Sequence, residues 1–492
     1  MNLGKRVALN TVIQISGKAV STILGLFAIA LITRYLGTDG FGEYTTVITF
    51  LTFFAVASDF GLTLVTAQMI SGLKDKIKEN KVLGNLFSFR LVSIIVFISL
   101  APATIGFFPY PAAVKLGVII AFLSFIFPAL NQVIIGLFQK RLHMENDVIA
   151  EALSRVILLA GVILTENYKL GLNGILISTL ISSFSSFIFH FIFARRFASI
   201  RLNFDWEIWK RIINKAWPLS VTIVLNLIYL RADILFLSLF QSQSTVGLYG
   251  AAYKVIDVLT TVPFMFAGLI LPIITVAWLD NKPKQFKNVL QKSLDFMIIL
   301  VIPLVIGVQF LGKPLMIFIA GQNFVSSGLI LQILIFAVAA VFIGTIFSHA
   351  IVALDKQKKM IGFYVFTSIT SLIAYLILIP RFSYWGAAAV TIYSETLIMI
   401  LSAYCVYKYS HFSINFRKTG KALLSGALMG LLLYFWPLTG QHPLNELITA
   451  IVAASLIYFS ILFLIGGINQ QDLKTLFKKG EGQMTSSYGG SL

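Results

Sequence analysis

Residues 225–259 read LNLIYLRADILFLSLFQSQSTVGLYGAAYKVIDVL. Two apolar runs meet at a short uncharged stretch, residues 241–245, and inside the runs stand Arg231, Asp233, Lys254 and Asp257. A charge at the hydrocarbon depth of a bilayer costs several kcal/mol, so ionisable residues held there mark a functional site by default. The stretch therefore predicts a membrane hairpin that forms one wall of a hydrated cavity.

The composition agrees. Of 492 residues, 58% are hydrophobic and 12% charged, where a soluble domain carries about 25% charged residues. Apolar runs of about 20 residues are the counting unit for membrane helices. They fall near residues 9–33, 44–69, 83–106, 114–137, 147–165, 173–194, 216–239, 246–271, 291–311, 326–353, 360–380, 385–407, 419–437 and 445–466. The expectation is an all-α polytopic membrane protein of about fourteen transmembrane helices. The opening MNLGKR and the apolar run behind it lack a small-residue cleavage site, so they predict an uncleaved first helix.

A net charge of +18 would point a soluble protein toward nucleic acid; here it follows the positive-inside rule. Of 38 lysines and arginines, 28 fall in alternate loops, among them Lys140, Arg141 and the run from Arg195 to Lys215, and only 5 in the opposite loops. That alternation predicts both termini in the cytoplasm. The loop cations are expected to be topology signals without ligand roles. Residues 205–211, DWEIWKR, predict an amphipathic helix lying on the inner surface as a linker between halves.

The halves repeat. Arg34–Tyr44, RYLGTDGFGEY, follows the first span and Leu239–Tyr249 the seventh, with Gly42 matching Gly247 and Tyr44 matching Tyr249 at one offset. Gly174 and Gly386 open the sixth and twelfth spans at nearly the same offset. The plain role for glycine is a tight loop, and for tyrosine the interface belt. Six helices per copy, an even number, gives two lobes related by a pseudo-two-fold axis along the membrane normal. The expected domains are a lobe at 1–197, a lobe at 198–410, and two further helices with a tail at 411–492.

Within the spans the basic residues are Lys18, Arg90, Arg155, Arg231 and Lys254, and the acidic ones Asp59, Glu151, Asp233, Asp257 and Glu395. Glu151 and Arg155, four apart, can pair on one helix face; Arg231 and Asp233, two apart, cannot. The five cations predict a cavity for an anion carried on a lipid, such as a diphosphate, because guanidinium and ammonium groups bind phosphate oxygens. Asp59, Asp233, Asp257 and Glu395 are the candidates for ion coupling or for pairing with these cations. The single cysteine, Cys405, excludes an internal disulfide and a cysteine metal cluster. No phosphate-binding glycine loop and no HExxH occurs, so neither an enzyme nor an ATP-driven pump is expected, and no cofactor beyond a proton or sodium gradient. The five scattered histidines are expected to be structural or interfacial.

Residues 10–50, NTVIQISGKAVSTILGLFAIALITRYLGTDGFGEYTTVITF, the later ASDFGL, and RADILFLSLFQSQSTVGLYGAAYKVID together resemble the bacterial polysaccharide-transport family. These are the Wzx-type O-antigen flippases of the multidrug/oligosaccharidyl-lipid/polysaccharide exporter superfamily. The resemblance implies a two-lobed fold with a central cationic cavity. It implies translocation of an undecaprenyl-diphosphate-linked oligosaccharide by alternating access in the bacterial cytoplasmic membrane. It also implies contacts with membrane lipids and with the polymerase and chain-length regulator of the same pathway. Lipid II flippases and drug/cation antiporters share the superfamily; a membrane polysaccharide polymerase would need larger, charged outside loops than this chain has.

Overall fold

The computed structural model describes residues 3–59, 61–73, 75–437 and 443–468. Among the described residues all regular structure is helical: α1 Leu3–Asp59, α2 Leu62–Ser71, α3 Lys76–Thr104, α4 Ala112–Ala121, α5 Ile126–Arg141, α6 Glu145–Asn167 and α7 Gly171–Ala194, then α8 Trp206–Phe240, α9 Gln243–Leu279, α10 Pro283–Ala320, α11 Val325–Ala353, α12 Gln357–Ser410, α13 Arg417–Phe435 and α14 Pro443–Leu464. Ten helices there are long and apolar enough to cross a membrane. Helices suit a bilayer because they satisfy every backbone N–H and C=O internally.

Two of the longest helices each hold two predicted spans. The backbone of α1 leaves helical geometry at Gly37, where φ is 66° and a β-carbon would be strained. The backbone of α12 does so at Ser383. α1 ends at Asp59, and Gly61, with φ 71°, starts α2. The second predicted span is thus interrupted near its middle at Gly61. α4 and α5, joined by a short 3-10 turn, share the fourth predicted span.

Packing divides the chain into two compact units, Met1–Gly250 and Ala251–Leu492. In the first unit α6 packs on α7 and α1, and α8, expected to open the second lobe, packs on α1, α2 and α3. In the second, α11 packs on α10 and α12, and α13 and α14 pack on α10. The Tyr458 hydroxyl of α14 donates to the Ile299 carbonyl at 2.8 Å.

Helix faces are inverted relative to a soluble protein. α7 exposes Ile177, Ile181, Phe184, Ile188 and Ile192 and buries Ser178, Ser182 and His190. Apolar side chains meet lipid at no cost, whereas polar ones must find partners inside. Ser182 Oγ donates to the Ser154 carbonyl of α6 at 2.7 Å, and Thr165 and Ser178 hydroxyls meet at 3.2 Å.

The linker differs from expectation. Residues 198–205 contain no helix, and α8 then runs unbroken from Trp206 into the seventh predicted span. Asp205, expected inside a surface helix, instead caps α8, accepting from the Glu207 and Ile208 amides. A polar face of α3 accounts for the extended path. Asn80 Oδ1 accepts from the Ser199 amide, Ser88 Oγ from Asn203 and Asn85 Oδ1 from Asp205, the last at 2.7 Å. Lys81 Nζ meets the Asp205 carboxylate at 2.6 Å. These bonds give the linker backbone partners that a surface helix would have supplied itself.

Candidate functional site

The intramembrane charges fall into groups of different character. In the first unit Lys18 of α1 and Arg155 of α6 converge on a single carboxylate oxygen, Glu151 Oε1, at 3.9 and 3.5 Å. Glu151 and Arg155 are the expected i, i+4 pair; the arrival of Lys18 was not legible. Arg155 stands ten residues into α6, about 15 Å along its axis, and the Lys18 and Arg155 side chains are 52% and 39% exposed. Two cations thus share one anion, and both side chains are partly open at the protein surface. Ion pairs this open contribute about 1 kcal/mol or less. The cluster carries a net positive charge and can redirect both cations to an incoming anion.

Arg90 and Asp59 behave differently. The Arg90 side chain is 5% exposed, and its Nη1 donates to the Asp59 carboxylate. Its Nε donates to the Ala129 carbonyl at 3.1 Å, and Nη1 also reaches the Asp59 carbonyl. Asp59 Oδ1 accepts from Thr63 as well. One guanidinium therefore caps the end of α1, neutralises its last residue and ties both to α5. Removing one partner of a buried pair costs about 3–5 kcal/mol, so this pair holds the broken helix rather than offering charge to a ligand.

Asp233 is fully buried in the first unit. It accepts from the Tyr249 hydroxyl and the Ile234 amide, both at 2.8 Å. Its neighbour Arg231 is half-buried on a different face of α8. In the second unit Lys254 and Asp257 of α9 are half-buried and Glu395 of α12 is buried. Within the first unit the structure brings Lys18 to Arg155 and Asp59 to Arg90.

Two charged groups escaped sequence reading. Lys140 and Arg141, expected to be solvated topology signals, both bind the buried Glu79 of α3 at 2.9 Å, and Lys140 also donates to the Leu73 carbonyl. His190 pairs with Asp147 at 3.0 Å. The signal was present in both helices. Ser178, Ser182, Ser186 and His190 repeat every four residues on α7, as do Asp147, Glu151 and Arg155 on α6.

In the second unit an apolar cleft of about 420 Å³ opens among α9, α10, α11, α13 and α14. Leu259, Pro303, Gly307, Phe342, Met429 and Ile451 are among its lining residues.

Comparisons with known proteins agree with this architecture. The chain is 25% identical over 247 residues to the probable low-salt glycan biosynthesis flippase Agl15 of Haloferax volcanii, a match covering 50% of this chain and 52% of that relative. It is 23% identical over 388 residues to the capsular polysaccharide biosynthesis protein CapF of Staphylococcus aureus, covering 78% and 94% of the two chains. Its fold is similar to that of the lipid II flippase MurJ in an inward closed conformation, with a TM-score of 0.75 at 16% identity over 92% of this chain and 98% of that one. An inward-facing MATE family multidrug transporter of the MOP superfamily gives a TM-score of 0.66 at 15% identity over 86% and 99%. The sequence profile described as polysaccharide biosynthesis protein matches residues 7–278. The chain is therefore a multi-pass membrane member of the polysaccharide biosynthesis protein family, with the fold of the MOP superfamily transporters.

Proposed function

We propose that the protein is a flippase that moves an undecaprenyl-diphosphate-linked oligosaccharide across the cytoplasmic membrane, from the inner to the outer leaflet. The observation that carries this reading is the Lys18–Glu151–Arg155 cluster, two cations on one carboxylate, partly open, at membrane depth. A diphosphate supplies the missing counter-charge, since its oxygens accept from guanidinium in pairs and from ammonium as a point charge. The cluster disfavours a cationic drug as cargo, because a cation would meet net positive charge.

The apolar cleft of the second unit suits a polyprenyl chain. Its lining is almost wholly hydrocarbon, so a long apolar tail enters without stranding a polar group. Agl15 and CapF are named for glycan and capsular polysaccharide biosynthesis, which supports a saccharide headgroup. Arg231 of the first unit and Lys254 of the second are the further cations proposed to meet the substrate, and Asp233, Asp257 and Glu395 the proposed coupling or partner carboxylates. Proposed as well are a proton or sodium gradient as the driving force and both termini in the cytoplasm.

Deleting the gene and probing the leaflet of the lipid-linked repeat unit tests the reading. The unit is expected to accumulate facing the cytoplasm while surface polymer disappears. Polymer at the normal level with no accumulation overturns it.

A further inference from the structure

The seam between α6 and α7 ends, near the inner side assigned from loop charges, at His190. Its side chain is 3% exposed, and its ring stacks on Phe138 of α5 with centroids 6.2 Å apart. Nδ1 lies 2.8 Å from the Ser186 carbonyl oxygen, and Nε2 lies 3.0 Å from Asp147 Oδ1. A carbonyl oxygen only accepts, so Nδ1 carries a proton. A neutral imidazole has one N–H. With that proton on Nδ1, a neutral ring would turn the Nε2 lone pair onto a carboxylate oxygen, two acceptors face to face. The contact closes when one further proton lies between Nε2 and Oδ1.

We propose that His190 and Asp147 form a proton-binding site of the first unit, loaded from the cytoplasmic side. The proton forms an N–H bond at Nε2 and leaves to inner-side water when the pair separates. α5 presents Phe138 to the ring, and Asn131 donates to Ser186 Oγ at 3.2 Å; neither titrates. In the turn before α6, His143 is held by Glu145 at 2.6 Å, and Lys140 and Arg141 turn to Glu79. The charge set against His190 is therefore that of Asp147.

Asp147 shares one face of α6 with Glu151 and Arg155, one and two turns further on. Loss of the proton sets an acceptor against an acceptor and loosens α6 from α7 on the helix that carries the cation cluster. The site itself is independent of the flippase reading; its use as the coupling ion rests on that reading.

The test is nitrogen NMR of the full chain, labelled on histidine, in nanodiscs of phosphatidylethanolamine and phosphatidylglycerol at neutral pH. The expected spectrum has one histidine protonated on both ring nitrogens, identified by its loss in His190→Gln and turned neutral in Asp147→Asn. Should His190→Gln not fold, a variant lacking the other four histidines gives the assignment. A neutral His190 in the unsubstituted protein overturns the site, as does a doubly protonated ring unaffected by Asp147→Asn. Proteoliposomes under an imposed pH gradient test the coupling separately. There Asp147→Asn is expected to leave flipping of a fluorescent undecaprenyl-diphosphate oligosaccharide insensitive to the gradient, and retained sensitivity overturns the coupling role alone.

Discussion

Gly42 of α1 and Gly247 of α9 lie backbone against backbone. A β-carbon on Gly42 would overlap the Gln243 carbonyl oxygen; one on Gly247 would overlap the Thr38 carbonyl oxygen and stand 3.0 Å from the Gly42 amide. The two glycines that match in the internal repeat thus face each other, and the crossing extends to Thr46, whose hydroxyl donates to Gln243 Oε1 at 2.8 Å. Neither glycine has a positive φ, so the need is for closeness rather than for a turn. Gly42→Ala and Gly247→Ala are each expected to destabilise the protein by about 1–3 kcal/mol, the cost of overpacking. Gly25→Ala, where nothing lies within 4 Å, is expected to be neutral or stabilising by up to about 1 kcal/mol. Thermal melting of the purified variants distinguishes these outcomes.

Arg90 and Lys18 should part ways on substitution. Arg90→Ala strands Asp59 at the break after α1 and is expected to cost about 3–5 kcal/mol, visible as lost membrane abundance. Lys18→Ala and Arg155→Ala remove open, shared pairs and are expected to change stability by less than about 1 kcal/mol. Losing a charge-assisted bond to phosphate, about 1.5–3 kcal/mol, should lower transport by roughly 10- to 100-fold. Quantitative blotting beside an export assay reads both.

Tyr249→Phe deletes the hydroxyl that donates to the fully buried Asp233. The expected loss is about 1–3 kcal/mol, the penalty for a buried acceptor left short of a donor. Asp233→Asn, melted beside it, should behave similarly, since the Tyr249 bond then joins a weaker, neutral acceptor.

The linker staple has a pH signature. The Lys81 hydrogen bond, with the backbone amides of Ile208 and Glu207, holds the Asp205 carboxyl below the usual carboxylate range. A carboxyl lowered in the folded state contributes stability that is present above its unfolded titration range. That contribution is lost as pH falls through the folded one. Acid melting of Asp205→Asn, which keeps the cap, should therefore show a shallower acid decline than the unsubstituted protein. An identical decline would show that the Lys81 pairing adds nothing.

Much of this architecture is legible in the chain because bilayer physics is coarse. Long apolar runs and alternating loop charge need no tertiary information. The Glu151–Arg155 pair follows from helical spacing alone. What escaped depends on neighbours from other helices. Lys18 reaches Glu151 only because α1 packs on α6, and Lys140 and Arg141 are drawn from the surface by Glu79, 61 and 62 positions away. The linker misled because its WEIW pattern is helical, while Asn80, Asn85 and Ser88 of α3 hold the residues before it extended. His190 was hidden by apolar neighbours; the four-residue repeat of Ser178, Ser182 and Ser186 before it was the available clue.

The central claim is that Lys18 and Arg155 hold a lipid-borne diphosphate during translocation. Its most direct measurement uses proteoliposomes loaded with a fluorescent undecaprenyl-diphosphate oligosaccharide and a membrane-impermeant quencher. With the unsubstituted protein, quenching is expected to proceed beyond the outer-leaflet pool to completion, and with the Lys18→Ala, Arg155→Ala double variant to stop at that pool. Complete quenching at an unchanged rate in the double variant, or quenching no greater than in protein-free vesicles for the unsubstituted chain, would contradict the account.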